Sequence, residues 1–356
     1  MDTPTWPVLI RALISGETLS AEQARWAMNE IMDGAASPAQ IAGFGVALRA
    51  KGETLEEMAG LASAMLEHAT PISVPGPVTD MVGTGADGAQ TVNVSTMGTI
   101  VAAACGVRMA KHGNRAASSR CGAADVLEAL GVVIDLPPSA TEALAEEIGV
   151  AFLFAPLYHP GFRHTGPVRR DLGVPTAFNF LGPLTNPVRP SALAVGVADP
   201  QMGGVLAGVL AARGNSALVF HGGGLDELTT TAPSTVWVVS GGAVTRTELD
   251  PLSLGLPRAS LDDLRGGDAA HNAEIVGSVL AGSPGPVRDI VVLNAAAAIA
   301  ASEGLGFVAA PGESAVAEDL VKALAGGIAR ATEAIDSGAA RDLLARWTQA
   351  SRRLAP

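Results

Sequence analysis

The sequence predicts an α/β protein: a small all-helical N-terminal domain followed by a larger α/β domain with a central mixed or parallel sheet. Two observations carry this. Three helix-start signatures of the Ser/Thr-x-x-Glu/Gln kind fall in the first seventy residues, at Ser20 to Gln23, Ser37 to Gln40 and Thr54 to Glu57, each pairing a hydroxyl with the N3 amide while the N3 side chain reaches back. Beyond Pro71, Pro75 and Pro77, which forbid further helix, short apolar runs alternate with small-residue helical stretches, the rhythm of strand–helix units.

In chain order, Pro38 takes the first helical position of its segment, and Gly34 and Gly52 follow apolar-periodic stretches where helices stop. Met81 and Val82 read as a strand running into a Gly-rich turn and then a helix over 95–105. Further strands are expected at 107–110, 150–154, 217–220 and 236–239, and further helices at 125–130, 290–301, 316–329 and 340–347.

At 356 residues the chain is long enough for two compact parts. Its 35 acids against 23 Lys and Arg give a net charge of −12, with no basic run longer than a pair, which argues against a nucleic acid or an anionic membrane as partner. No apolar run approaches the roughly 20 residues that span a bilayer. No basic segment precedes an apolar stretch near Met1, so no secretory signal is readable. Cys105 and Cys121 are the only cysteines and form no metal or disulfide pattern, which points to a reducing cytoplasm. An anionic ligand must therefore be held by a local cluster.

Two clusters fit that need. Gly83-Thr-Gly-Ala-Asp-Gly88 fits G-x-G-x-x-G after a strand, a pattern shared by dinucleotide-binding turns and by simple tight turns. Arg108 and Lys111 stand near the place of the ribose-binding acid, and Asp87 would turn a carboxylate towards a pyrophosphate. Thr91-Val-Asn-Val-Ser-Thr96 then sets hydroxyls and an amide at a helix start, where free N–H groups favour anions; Ser95 alone could be an ordinary cap. Lys111-His-Gly-Asn-Arg115, with Ser118 and Ser119, concentrates cations, amide and hydroxyls at the end of the next strand.

These segments, in this order and spacing, closely resemble anthranilate phosphoribosyltransferase. The likeness spans Asp80 to Gly88, Asn93 to Thr96, Lys111 to Arg115 and Ala124 to Gly131, and continues through His159 to Arg163, Pro167 to Arg170, Phe178 to Pro187, His221 to Glu227 and Gly266 to Ala270 with Asn272. The resemblance implies transfer of a phosphoribosyl group from phosphoribosyl pyrophosphate to the amine of anthranilate, the second step of tryptophan synthesis, with Mg²⁺ on the pyrophosphate. It also implies a helical domain of residues 1–72 plus a central insertion at about 159–188, hinged to an α/β domain of 75–158 and 189–356, and a homodimer through the helical part.

Carried over residue by residue, the resemblance assigns catalysis to Asp226, Glu227 and Arg169, and Mg²⁺ to Ser95, Asp226 and Glu227. Phosphoribosyl pyrophosphate falls to Gly83, Ala86, Asp87, Thr91, Asn93, Val94, Ser95, Thr96, Lys111, His112, Gly113, Asn114, Arg115, Ser118, Ser119 and Ala123. Anthranilate falls to Gly83, His112, Asn114, His159 and Arg169, with Pro183 as a flat wall. The chemistry agrees: adjacent carboxylates suit a hard, hydrated cation, and a planar guanidinium suits an aromatic carboxylate. Ala86, Cys121 and Ala123 depart from the family pattern, the last two by removing hydroxyls near the phosphate site. The rivals are a pyrimidine nucleoside phosphorylase, which shares the architecture, a non-catalytic relative, and an NADP-dependent dehydrogenase.

Overall fold

The structure, a computed structural model, describes residues 4–85, 87–116, 119–305 and 313–356. Four helices open it: α1 (Trp6–Ile14), α2 (Ala21–Met32), α3 (Pro38–Lys51) and α4 (Leu55–Glu67). All three start signatures close as reciprocal capping boxes, Ser20 with Gln23, Ser37 with Gln40 and Thr54 with Glu57. Helix α1 has no side-chain cap, so no such signature marked it.

After the proline linker, seven strands form one sheet: β1 (Thr79–Gly83), β2 (Met109–Gly113), β3 (Val150–Phe154), β4 (Ala192–Gly196), β5 (Ser216–Gly222), β6 (Ser234–Ser240) and β7 (Ala243–Leu249). Their order is β3-β2-β1-β4-β5-β6-β7, parallel from β3 to β5 and antiparallel at β6 and β7. Helix α5 (Val94–Ala104) links β1 to β2, and α6 (Ala123–Ala129) and α7 (Pro138–Ile148) link β2 to β3. Between β3 and β4 lie α8 (Ala155–Tyr158) and α9 (Thr165–Leu172), and α10 (Pro200–Ala212) joins β4 to β5. The chain finishes in α11 (Ala269–Leu280), α12 (Pro286–Ser302), α13 (Glu313–Asp336) and α14 (Ala339–Leu354).

The strand expected at 107–110 begins two residues later, because Gly106 (φ +90°) and the turn after α5 occupy Val107 and Arg108. Helix α10 escaped the sequence reading because its three internal glycines depress helix propensity. Two of them are required by packing: Gly203 lies under the Trp237 ring and Gly208 under Leu55.

Two features position the site. From β1 the chain crosses one way, to β2 and β3, and from β4 the other way, to β5. The ends of β1 and β4, where Gly83 pairs with Gly196, therefore form the crevice in which open α/β sheets bind ligands. Second, one apolar core runs from the bundle (Leu9, Met28, Phe44, Leu48) through Phe178 and Leu181 into Leu193, Val195, Leu206 and Val219 of the sheet and α10. Arg49 of α3 also pairs with Asp199 at the start of α10. Among the described residues no helix is long and apolar enough to cross a membrane.

Candidate active site

A cleft of about 740 Å³ opens over the C-terminal ends of β1 and β2, and Met65 of α4 and the stretch from Ala155 to Gly182 line its helical side. Its floor is built around Asp226. A Cβ on Gly83 would collide with Asp226 Oδ2, and one on Gly196 with the Asp226 backbone oxygen, so both strand ends must be glycine for Asp226 to sit over them. The Gly85 N–H donates to Asp226 Oδ2 at 2.7 Å, from a left-handed backbone (φ +70°) that favours glycine. Across β5, His221 donates from Nδ1 to the Val197 carbonyl at 2.8 Å and accepts the Gly224 N–H at 3.3 Å, fixing the turn that presents Asp226 and Glu227.

Electrostatically this end is a carboxylate cluster with one buried cation beneath it. Burial, and then the nearby Asp87, push Asp226 up to about 7. Burial and Asp226 also raise Glu227, while Lys111 works the other way. Lys111 is itself held below its ordinary value by burial, against the pull of Asp80, Glu227 and Asp226. It donates to the Met81 carbonyl at 2.6 Å and to Ser95 Oγ at 3.0 Å. Carboxylates forced together in this way fit a divalent cation. Among the described residues no three His, Cys, Asp or Glu side chains close a metal cage alone, which suits Mg²⁺, an ion that takes one or two carboxylates plus water and phosphate oxygens.

Helix α5 enters the cleft with Asn93 as its N-cap and no side-chain cap bond. The Val94 and Thr96 N–H groups already donate to the Val92 and Asn93 carbonyls, so an anion meets the positive end of the helix dipole there.

The opposite end is apolar and cationic. Arg169 of α9 has no carboxylate partner among the described residues and lies 5.6 Å from the Phe162 ring centre. Burial lowers its pKa. His112 and His159 stand 5.2 Å apart, centre to centre. His112 Nδ1 faces the Gly182 carbonyl at 3.2 Å and His159 Nε2 the Thr185 carbonyl at 2.7 Å. A carbonyl only accepts, so those nitrogens carry the protons, and His112 Nε2 and His159 Nδ1 are buried with no hydrogen-bond partner among the described residues. Burial, with His159 adding to it, pushes His112 down to about 3, and burial takes His159 to about 4. Both rings are neutral. Asp80 sets this wall, accepting the His112 N–H at 3.2 Å and Asn186 Nδ2 at 2.8 Å.

The cleft brings together Gly83, Asp87, Thr91, Asn93, Val94, Ser95, Lys111, His112, Gly113, Asn114, Arg115, Ser119, Ala123, His159, Arg169, Asp226 and Glu227. Two expected residues lie elsewhere. Thr96 is buried, because the α5 turn that faces Ser95 to the cleft points the next side chain inward. Pro183, in the 3-10 turn Gly182–Leu184, lines a separate cavity with Leu66 and Arg213 on the far side of that turn. Ala86 and Ser118 lie outside the described residues. Ser95 is not the α5 cap, and Arg115 is paired with Glu128 and Asp125 of α6. Sequence reasoning missed Met65, Thr84, Gln90, Phe162, Thr165 and Asn179 as lining residues. Gln90 holds φ +54°, a strain with no local sequence signature.

The fold and cleft define a two-part glycosyl transferase. The family model for the glycosyl transferase helical bundle domain matches residues 7–69, and that for the glycosyl transferase a/b domain matches residues 75–341. Anthranilate phosphoribosyltransferase of Thermobifida fusca is 56% identical over 353 residues, covering 99% of this chain and 98% of its own. That of Salinispora arenicola is 54% identical over 361 residues, covering 100% and 99%. Among solved structures, anthranilate phosphoribosyltransferase from Thermus thermophilus superposes with a TM-score of 0.87 at 42% identity, covering 97% of this chain and 99% of that one. The Saccharomyces cerevisiae enzyme in complex with phosphoribosyl pyrophosphate and Mg has a TM-score of 0.84 at 28% identity, covering 98% of each. The chain belongs to the anthranilate phosphoribosyltransferase family.

Proposed function

We propose that this protein transfers the phosphoribosyl group of phosphoribosyl pyrophosphate to the amine of anthranilate, releasing pyrophosphate, as a Mg²⁺-dependent enzyme of tryptophan biosynthesis. The observation that carries the reading is the polarity of one cleft: a carboxylate pair seated at the β1/β4 crevice, facing across it the Arg169 guanidinium, which has no ion-pair partner among the described residues.

Asp226, Glu227 and Ser95 would hold Mg²⁺, which supplies charge neutralisation on the departing diphosphate. Lys111 supports Ser95 Oγ from below and restrains the mutual repulsion of the carboxylates. The positive end of the α5 dipole, Asn114 and the Ser119 to Ala123 stretch hold the phosphate groups. Arg169 takes the anthranilate carboxylate. His112 and His159 line this end of the cleft as neutral rings against which the anthranilate ring packs. With pKa values of about 3 and about 4 the two rings are not proton stores. No strong base is required, because an aromatic amine is already unprotonated at neutral pH, and positioning carries the rate.

The helical part, residues 1–72 with 159–188, and the α/β part are read as two bodies meeting at this cleft. A cytoplasmic homodimer through the helical part completes the reading. It is supported by the exposed apolar side chains Val8 and Ile14 of α1, Val46 of α3 and Val174 just beyond α9. The test follows the loss of anthranilate fluorescence with phosphoribosyl pyrophosphate, with and without Mg²⁺. Consumption only with both is expected. Full activity in excess chelator would sink the reading, and release of free base from thymidine or uridine with phosphate would move it to a phosphorylase.

A further inference from the structure

Asn272 closes the Gly266 to Ala270 segment, to which the reaction chemistry gives no task. It is 2% exposed and stands on the first turn of α11, which Asp268 caps. The Gly267 N–H donates to Asn272 Oδ1 at 2.7 Å, Asn272 Nδ2 donates to Asn93 Oδ1 at 2.8 Å, and Asn93 Nδ2 donates to the Cys121 carbonyl at 3.1 Å. The direction of this ladder is forced. It begins at a backbone N–H, which can only donate, and ends at a carbonyl, which can only accept, so neither amide can be turned round without placing oxygen against oxygen. Backbone pairing binds the same segments: Gly266 N–H to the Gln90 carbonyl and Val92 N–H to the Leu264 carbonyl, each at 2.9 Å.

We propose that Asn272 is a positioning residue for phosphoribosyl pyrophosphate binding. It reaches no lining position of the cleft, yet it fixes the gap between two loops that do, the α5 start at Asn93 and the Ser119 to Ala123 loop. Both polar groups of Asn93 are engaged inside the ladder, so Asn93 acts as a link between loops. The proposal rests on the transferase reading of the cleft.

Asn272→Asp keeps the size and the bond from Gly267 but removes the donor, setting a carboxylate oxygen against Asn93 Oδ1. The expected result in titration calorimetry is a phosphoribosyl pyrophosphate–Mg²⁺ dissociation constant raised about tenfold, the scale of one broken buried hydrogen bond. The anthranilate KM at saturating phosphoribosyl pyrophosphate should stay within about twofold of the parent's, since one broken bond in the ladder leaves the acceptor wall untouched. Asn272→Ser, which retains a shorter donor, should lie between parent and Asp, and carries the test if the Asp variant fails to fold. Unchanged donor-substrate affinity, or an equal loss for both substrates, overturns the proposal while leaving the transferase reading intact. A parent protein that binds no phosphoribosyl pyrophosphate overturns both.

Discussion

Arg169 shows what a single side chain does when its charge is left unanswered in an otherwise acidic protein. Half-buried, with the Phe162 ring beside it, it has no carboxylate partner among the described residues, which suits it to a carboxylate brought by a ligand. Arg169→Ala should weaken anthranilate binding by about 1.5–3 kcal/mol, the worth of a charged hydrogen bond, and leave phosphoribosyl pyrophosphate nearly untouched. Separate KM values for the two substrates check this. His112 gives a pH signature. Its folded pKa of about 3 lies below the unfolded value near 6.5, so the unfolded chain binds a proton that the native ring refuses. The resulting stability is present above the unfolded pKa and lost as pH falls towards the folded one. Between pH 7 and 4.5 that loss is about 2–3 kcal/mol, and His112→Asn should flatten that limb of the melting-temperature profile in calorimetry. The anion-binding character of the Thr91 to Thr96 and Lys111 to Arg115 segments was legible from residue chemistry, whereas Arg169, His159, Asp226 and Glu227 came only through the family resemblance, because alone each reads as an ordinary loop or surface residue. Arg115 lines the cleft, and its ion-pair partners, Asp125 and Glu128, are supplied by the next helix, which no local pattern announces. Thr96 is buried beside the lining Ser95, because one residue of helix register separates a lining position from a buried one.

Elements were legible where they announce their ends. The capping boxes of α2, α3 and α4 are local chemistry, visible in four consecutive letters. Strand β4 reads Ala-Leu-Ala-Val-Gly without the β-branched run or turn residues that mark a strand, and edge strand β7 is polar from Thr245 to Glu248 with most of its length exposed; both depend on their neighbours for definition. The paired glycines at the ends of β1 and β4 make a sharper element-scale test. At Gly83 an added Cβ meets the free end of a side chain, Asp226 Oδ2, whereas at Gly196 it meets the backbone oxygen of the same residue. Gly83→Ala should therefore leave the fold near its normal melting temperature and lower turnover by ~10² or more, through a displaced carboxylate. Gly196→Ala should destabilise the protein by about 3 kcal/mol, as overpacking against an immovable chain does. Similar melting curves for the two variants would refute the distinction.

At the scale of the whole molecule, the exposed apolar patch of α1 and α3 makes oligomeric state the natural measurement. Ile14 is 74% exposed, and Ile14→Glu should convert a dimer to a monomer in light-scattering chromatography at micromolar concentration. A parent protein already monomeric there would remove the dimer from the reading. The two-part organisation was legible because composition changes at the proline linker. What the linker hides is that the bundle shares its interior with one face of the sheet, while the opposite face keeps a second core with α5, α12 and α13. Phe44 and Leu48 of the bundle and Leu193 and Val219 of the sheet belong to one apolar cluster.

That shared interior bears on how the chain gains its structure during synthesis. The first seventy residues leave the ribosome well before β4, β5 and α10, the surfaces they pack on, so for that interval they carry an unmatched apolar face. A fragment ending after α4 should accordingly bind a hydrophobic dye and show little tertiary near-ultraviolet dichroism. The full chain should melt in a single calorimetric peak, since one sheet carries both the interior it shares with the bundle and, on its opposite face, a second core of its own. Two resolved peaks, or a native-like isolated bundle, would show instead that the boundary between the two family domains is also a boundary of cooperativity.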